Sequence, residues 1–164
     1  PRFWLEVLDE TLESHELSRS KVRPWFQLDR AGDFREALMW ASLVNADFTT
    51  RACHDRRVLS PEEAHLWETL QKQAPLGTYC LSIAAGPRRT AREATIEVKS
   101  CPVVLPLKDG VQVEVFAVYA REISSVPAGN EPIDWMLLTT RQVTDLRQSC
   151  EKTVTNRSLR SCMP

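Results

Sequence analysis

The segment RPWFQLDRAGDFREALMWASLVNADFTTRAC, residues Arg23–Cys53, carries the strongest fold signal in the sequence. Val22–Leu28 is an apolar run typical of a short buried strand, and Pro24 places it near a sheet edge or a strand start. From Phe34 onward, apolar residues recur at the i, i+3, i+4, i+7 spacing of an amphipathic helix. Asp47–Cys53 is short and β-prone. A strand, a helix and a strand in about thirty residues predict one α/β unit with parallel strands.

The composition is that of a globular domain rather than of a disordered segment. The chain has 164 residues, of which 43% are hydrophobic and 26% are charged. A net charge of −1 excludes a basic field over the whole chain but allows a local basic face. No apolar run is long enough to span a bilayer. The five cysteines lack Cys-x-x-Cys spacing, which argues against a zinc site or a disulfide framework and predicts a reducing cytoplasm.

The rest of the chain divides into helical and β-rich parts. Residues 3–17 mix apolar and acidic side chains at helical spacing. Ser60, followed by Pro61 and Glu63, has the capping-box pattern that begins a helix, which we expect to end near Lys72. The second half is rich in β-branched and aromatic residues separated by turns, so it predicts strands with one solvated face. We expect these strands at residues 78–84, 93–100, 111–122 and 135–140.

The predicted class is α/β, or α+β over the whole chain. Residues 1–75 would form a strand–helix–strand core, and residues 76–140 a mainly antiparallel β domain. Residues 141–164 form a tail in which a helix is predicted at 144–152 and no convincing period follows.

Asp29 stands where the first predicted strand ends, which is the edge at which α/β sheets usually bind ligands. Two interpretations remain open. A carboxylate here caps a turn or pairs with Arg30, and position alone favours that structural role. Alternatively it binds a cation, although Mg²⁺ sites normally recruit further carboxylates or phosphates. Asp33 is explained as the N-cap of the following helix.

The sequence has two groups of arginines: Arg51, Arg56 and Arg57 at the end of the second predicted strand, and Arg88, Arg89 and Arg92 in a hairpin-like loop. Guanidinium groups suit a phosphodiester backbone, because they neutralise its charge and make forked hydrogen bonds. Either group alone is slightly better explained as a solvated loop. Two such groups in a net acidic chain are more suggestive of DNA binding.

Trp135 begins a predicted strand and fits two roles. A tryptophan at the mouth of a strand can stack on an extruded base, but beside a Leu-rich strand it is by default packed in a core. The histidines lack metal-ligand spacing, and the sequence contains no Gly-rich phosphate loop and no recognisable nucleophile elbow.

Several segments together resemble a known family. LDRAGDF (Leu28–Phe34) resembles the second-aspartate motif of DDE insertion-sequence transposases of the insertion-sequence-four and transposon-five type, whose core is interrupted by a β-rich insertion domain. ADFTTRACHDRRV (Ala46–Val58) is similar to the next strand of that family. LGTYCLSI, RRTAREATIEVKS and NEPIDWMLLTT resemble consecutive strands of the insertion domain, in family order. The resemblance covers about Trp4 to Val143.

The resemblance implies a partial ribonuclease-H-like core in residues 1–75, a β-rich insertion domain in residues 76–140, and cut-and-paste DNA transposition. In that family two aspartates and a glutamate hold two divalent metals, Mg²⁺ or Mn²⁺, for hydrolysis and strand transfer at transposon ends. Asp29 matches the second metal-binding acid, Arg51 a DNA contact, and Trp135 the tryptophan that stacks on a flipped base. The implied partners are transposon-end DNA and a second transposase subunit, in the bacterial cytoplasm at the nucleoid and without a membrane.

The sequence departs from the family at two of its three catalytic acids. The first aspartate is expected before Pro1, and the tail has no counterpart of the glutamate in the family's Tyr-Arg-Glu-Lys helix. We hypothesise that residues 141–164 are truncated or frameshifted, which the gene sequence would test. The chain is therefore expected to be a transposase fragment that does not cleave DNA alone. The alternatives are a non-catalytic or dominant-negative DNA-binding module, and an α/β protein with an unrelated small ligand.

Overall fold

The computed structural model describes residues 2–60, 64–86 and 90–146. Within these ranges the helices are α1 (Arg2–Leu17), α2 (Arg35–Leu43) and α3 (Leu66–Gln71). The strands are β1 (Trp25–Leu28), β2 (Asp47–Arg51), β3 (Gly77–Ile83), β4 (Arg92–Pro106), β5 (Gln112–Glu122) and β6 (Asp134–Thr139). Short 3-10 turns lie at Arg30–Gly32 and Lys108–Gly110. None of the helices in the described ranges combines the length and apolarity that crossing a membrane requires.

The strands form one mixed sheet in the order β1-β2-β6-β5-β4-β3. β1 and β2 are parallel, with Leu28 opposite Thr50, and the other neighbouring pairs are antiparallel. Because α2 connects β1 to β2, the predicted strand–helix–strand unit with parallel strands is confirmed. The α+β class is confirmed as well, whereas a ribonuclease-H-like core stays a prediction.

Each face of the sheet has its own hydrophobic core. The first core joins the helices to one face and includes Leu38 of α2, Leu70 of α3 and Phe48 of β2. Successive side chains of a strand point to opposite faces. The second core therefore lies on the other face, where Val118 of β5 packs with Leu137 of β6. The second core thus contains no residue of α1, α2 or α3, and is formed by the strands and the segment after β6.

β6 connects the two predicted halves of the chain. It pairs with β2, with Thr50 opposite Leu138, and on its other side with β5. Residues from both halves also share the first core. The domain boundary near residue 75 stays a prediction, and the tail from residue 147 onward, including most of the helix predicted at 144–152, lies outside the described residues.

Buried hydroxyl groups fix the register between β2 and β6. The Trp25 Nε1–H donates to Thr49 Oγ1 at 3.0 Å, and Thr49 Oγ1 donates to Thr139 Oγ1 at 2.8 Å. Thr139 Oγ1 in turn donates to the Phe48 carbonyl oxygen at 3.0 Å. Both threonines are buried, so a slip of one residue would leave these hydroxyls without partners and away from water.

The helix predicted from Ser60 begins later, at Leu66, and the prediction is wrong for the two residues before it. Residues 61–63 lie outside the described part of the chain. The Ser60 side chain does accept a hydrogen bond from the Ala64 N–H, at 3.2 Å. However, the Val58 N–H donates to the Ala64 carbonyl at 3.0 Å and the Leu66 N–H donates to the Arg56 carbonyl at 2.9 Å. These bonds hold the backbone just before the helix in an extended conformation alongside residues 56–58, rather than in a helical turn.

Gly32 allows the first 3-10 turn to fold back onto the end of β1, so its replacement by alanine should destabilise the protein. A Cβ there would lie 2.4 Å from Leu28 Cβ and 2.9 Å from Thr50 Oγ1. We expect Gly32→Ala to lower the free energy of unfolding by about 1–3 kcal/mol in urea denaturation. Gly129→Asn is the control, because nothing lies within 4 Å of that position and asparagine tolerates its φ of +79°. Equal effects of the two substitutions would contradict the steric explanation.

Candidate functional site at one end of the sheet

Three neighbouring strands bring Asp29, Arg51 and Trp135 to one end of the sheet. Leu28 and Thr50 lie opposite each other at the end of the parallel pair, so Asp29 and Arg51 are the next residues in register. β6 runs antiparallel to β2 and begins one residue before Trp135. The amino end of β6 therefore lies beside the carboxyl ends of β1 and β2. The three residues that were assigned separately from the sequence thus share one site.

Asp29 is exposed and caps the 3-10 turn that follows β1. Its Oδ1 accepts a hydrogen bond from the Ala31 N–H at 2.8 Å, and its carbonyl accepts one from Thr50 Oγ1 at 3.0 Å. The turn-capping interpretation is therefore confirmed. Because the side chain faces solvent, the cap also presents the carboxylate to whatever approaches this end of the sheet.

Arg51 lies over the ring of Trp135, with Cζ 5.5 Å from the ring centroid. Its Nη2 also donates a long hydrogen bond, 3.5 Å, to the Asp134 carbonyl. Burial lowers the pKa of the Arg51 guanidinium, and the nearby charge of Arg30 lowers this pKa further. The charges of Asp134 and Asp29 act in the opposite direction. Arg51 is thus a half-buried cation that feels the charges of two carboxylates and of a second arginine.

Trp135 combines the two roles considered from the sequence. Its ring is half-buried and packs against the second core, as an aromatic side chain at the edge of a core does. The same ring is covered by the Arg51 guanidinium at the end of the sheet. Trp135 therefore anchors the strand and forms part of the site surface.

Asp134 and Arg30 belong to the site, although the sequence pattern did not single them out. The Asp134 Oδ2 accepts a hydrogen bond from the Tyr119 hydroxyl at 3.4 Å. Burial raises the pKa of Tyr119, and the negative charge of Asp134 raises it further. The sequence offered one clue to both residues, since each is adjacent to a predicted site residue, Trp135 or Asp29. Residues next to each other at the end of a strand lie at the same end of the sheet.

Asp33 is not the N-cap of α2, which corrects the sequence prediction. Phe34 occupies that position and makes no side-chain cap bond. The Asp33 carboxylate instead accepts hydrogen bonds from the N–H groups of Cys53 and His54, at 2.7 and 3.1 Å. It also pairs with Arg56, whose Nη2 lies 2.6 Å from Oδ1. Asp33 therefore ties the loop after β2 to the turn after β1.

A candidate metal group lies in this loop, formed by donor atoms of Asp33, Cys53 and His54 within 4.8 Å of one another. The Asp33 carboxylate oxygens already accept four hydrogen bonds, two of them from Arg56. A carboxylate has about four acceptor positions, so all of them are used. Burial raises the pKa of the Cys53 thiol, and the charge of Asp33 raises it further. A saturated carboxylate beside a cation is a poor ligand, so we assign no metal to this group.

Arg92 forms a buried ion pair rather than an exposed cation. Its Nε and Nη2 donate to the two carboxylate oxygens of Glu122 at 3.0 and 2.9 Å. Its Nη2 also donates to the Glu131 carbonyl at 3.0 Å. The side chain of Arg92 is 9% exposed and that of Glu122 is fully buried. The pair joins the start of β4 to the end of β5, and the bond to Glu131 ties both to the loop that leads into β6.

The structure describes only some of the other arginines that were predicted to bind DNA. Arg57 is exposed and lies opposite His65 in an isolated bridge. Arg88 and Arg89 lie outside the described residues. Of the predicted DNA-binding arginines that the structure describes, Arg57 is exposed and Arg51 is half-buried, whereas Arg56 and Arg92 pair with buried carboxylates.

The Arg92–Glu122 pair should make stability depend on pH. The hydrogen bonds from Arg92 lower the pKa of Glu122 below the usual glutamate value of 4.5. The stability contributed by the ionised carboxylate is therefore complete above pH 4.5 and is lost as the pH falls through the lower pKa of the folded state. We expect Glu122→Gln to lower the unfolding free energy at neutral pH by about 2–3 kcal/mol, and this deficit to shrink in urea denaturation at acid pH.

The control for this experiment is Glu114→Gln, at an exposed position on the same strand. It should leave the unfolding free energy nearly unchanged across the pH range. A Glu122→Gln deficit that stays constant from neutral to acid pH would contradict the ionic contribution of Glu122.

No family model matches this sequence.

Proposed function

We propose that this chain is a fragment of a DDE transposase and binds DNA through the sheet end that carries Asp29, Arg51 and Trp135. The observation that supports the proposal best is the placement of these three residues on adjacent strands at one edge. A carboxylate, a guanidinium and an aromatic ring together suit a nucleic acid substrate and a metal ion bound with it. The acid attracts a metal, the guanidinium contacts a phosphate, and the ring stacks on a base.

The charges at this end support contact with the phosphate backbone. Arg30 is exposed, and its charge acts on the half-buried Arg51. Arg57 is exposed in the segment after β2. Arg56 and Arg92 are left out of the proposed surface, because each already pairs with a buried carboxylate. Arg88 and Arg89 stay in the proposal on the sequence pattern alone.

A divalent metal would be held by Asp29, whose exposed carboxylate is the oxygen ligand that Mg²⁺ and Mn²⁺ prefer. Two such metals, when bound, activate water or a 3′-hydroxyl for attack on a phosphodiester. Asp29 contributes one carboxylate to such a centre, and Arg51 places a positive charge beside it. We therefore propose that cleavage by this chain alone is negligible and that its role is to bind DNA, with a second transposase subunit as a further partner.

The second candidate function is a DNA-binding module that uses no metal. The positive charge of Arg51 beside Asp29 favours it, because a guanidinium that neutralises the carboxylate disfavours a cation there. The third interpretation, an unrelated small ligand, would be favoured by an Asp29 that is buried and turned away from Arg51. In the fold Asp29 is exposed and next in register to Arg51.

Replacing Arg51 should weaken DNA binding in a salt-dependent way. We expect Arg51→Ala to lower the affinity for a labelled oligonucleotide and to reduce the slope of log affinity against log salt concentration by about 1, since one phosphate contact is lost. Fluorescence anisotropy over a range of salt concentrations measures both values. Arg23→Ala is the matched control, because Arg23 pairs with Asp47 at the opposite end of the sheet. Equal losses in both variants, or no binding by the wild type, would contradict the proposal.

The same assay with and without Mg²⁺ separates the two DNA-binding functions. If Asp29 holds a metal, Mg²⁺ raises the affinity of the wild type, and Asp29→Asn abolishes that increase. The control is Asp109→Asn, in an exposed turn whose φ of 58° suits asparagine. An affinity that Mg²⁺ does not raise would favour the metal-free module.

A further inference from the structure

The Trp135 ring has neighbours of two kinds. On one side it packs against the second core, to which Leu137 and Val143 belong. At the end of the sheet the Arg51 guanidinium lies over it, 5.5 Å from the ring centroid to Cζ. A base that approaches this face of the ring therefore meets Arg51 first. Stacking on the face that Arg51 covers requires Arg51 to move.

The contacts that hold Arg51 over the ring are easily exchanged. Its hydrogen bond to the Asp134 carbonyl is 3.5 Å long, at the limit of a useful bond. The charged groups that act on Arg51 oppose one another, since Asp29 and Asp134 attract it and Arg30 repels it. A phosphate would give Arg51 shorter, charge-assisted bonds and would relieve its repulsion from Arg30.

A second arginine–tryptophan pair in the fold shows the contrast. Arg141 lies over the ring of Trp25 at 4.7 Å, and its Nε is 3.4 Å from the Asp47 carboxylate. Arg141 is thus held by an ion pair as well as by the ring. In Arg51 the corresponding second contact is a long bond to a neutral carbonyl. Of the two pairs, the one at the candidate site is the easier to open.

We propose that Arg51 covers Trp135 in the free protein and that a phosphate of single-stranded DNA draws the guanidinium toward Arg30, which uncovers the ring for a base. This proposal rests on the proposed function and adds a step to it. Backbone binding comes first, and base stacking follows. Arg51 then has two successive partners, the indole ring and the phosphate.

Fluorine NMR of protein labelled with 5-fluorotryptophan tests the cover without DNA. The Trp135 and Trp25 signals are identified by their loss in Trp135→Phe and Trp25→Phe. The change in chemical shift between H₂O and D₂O reports how much solvent reaches each ring. We expect Arg51→Ala to increase this change for Trp135 alone, and Arg141→Ala to increase it for Trp25 alone. Arg51→Gln serves as the second variant if Arg51→Ala does not fold.

Two oligonucleotides of equal length, one of thymidine and one abasic, test the release. Binding of the abasic strand should raise the solvent-dependent change of Trp135 to the Arg51→Ala value, because the ring is uncovered and no base replaces the guanidinium. The thymidine strand should move the Trp135 signal while its solvent-dependent change stays low, because a base now covers the ring.

Two results would overturn the proposal: no increase at Trp135 in the Arg51 variants, or abasic binding in anisotropy without any change at Trp135. If neither strand binds, the proposed function fails and the release step fails with it. The comparison of variants without DNA still decides whether Arg51 covers the ring.

Discussion

The pairing of β6 with β2 is the constraint on which the rest of the structure depends. It joins the parallel β1–β2 unit to the antiparallel strands and places Trp135 beside Arg51. The buried Thr49–Thr139 hydroxyl pair holds the register. Because side chains alternate along a strand, a shift of one residue would turn Trp135 to the helix-covered face. The candidate site exists only in the observed register.

The elements that follow from local periodicity could be predicted from the sequence. The spacing from Phe34 gave α2 between two parallel strands, and residues 3–17 gave α1. The position of β6 could not be predicted, because a pairing between distant segments leaves no local pattern. The capping-box pattern at Ser60 failed for a related reason. Hydrogen bonds to Arg56 and Val58 keep residues 64 and 65 out of the helix, which begins only at Leu66.

The candidate site could be predicted as separate residues but not as an arrangement. Asp29 follows an apolar run, and this marked it in the sequence, whereas Asp134 and Arg30 became part of the site only through the fold. Arginine clusters were poor guides to a binding surface. Arg56 and Arg92 pair with Asp33 and Glu122, which lie far from them in sequence, and a composition pattern cannot distinguish such a pair from an exposed cation.

The register of β2 against β6 is most directly measured by NMR. Arg51 and Leu137 lie opposite each other, as do Thr49 and Thr139. The hydrogen bonds from the Ala52 N–H to the Met136 carbonyl and from the Thr140 N–H to the Phe48 carbonyl place both pairs at non-hydrogen-bonded positions of the ladder, where facing residues of antiparallel strands lie closest together. We expect strong Hα–Hα NOE cross-peaks for both pairs in the uniformly labelled protein. Cross-peaks shifted by one residue, with Arg51 opposite Met136 or Leu138, would contradict the assembly of Asp29, Arg51 and Trp135 into one site.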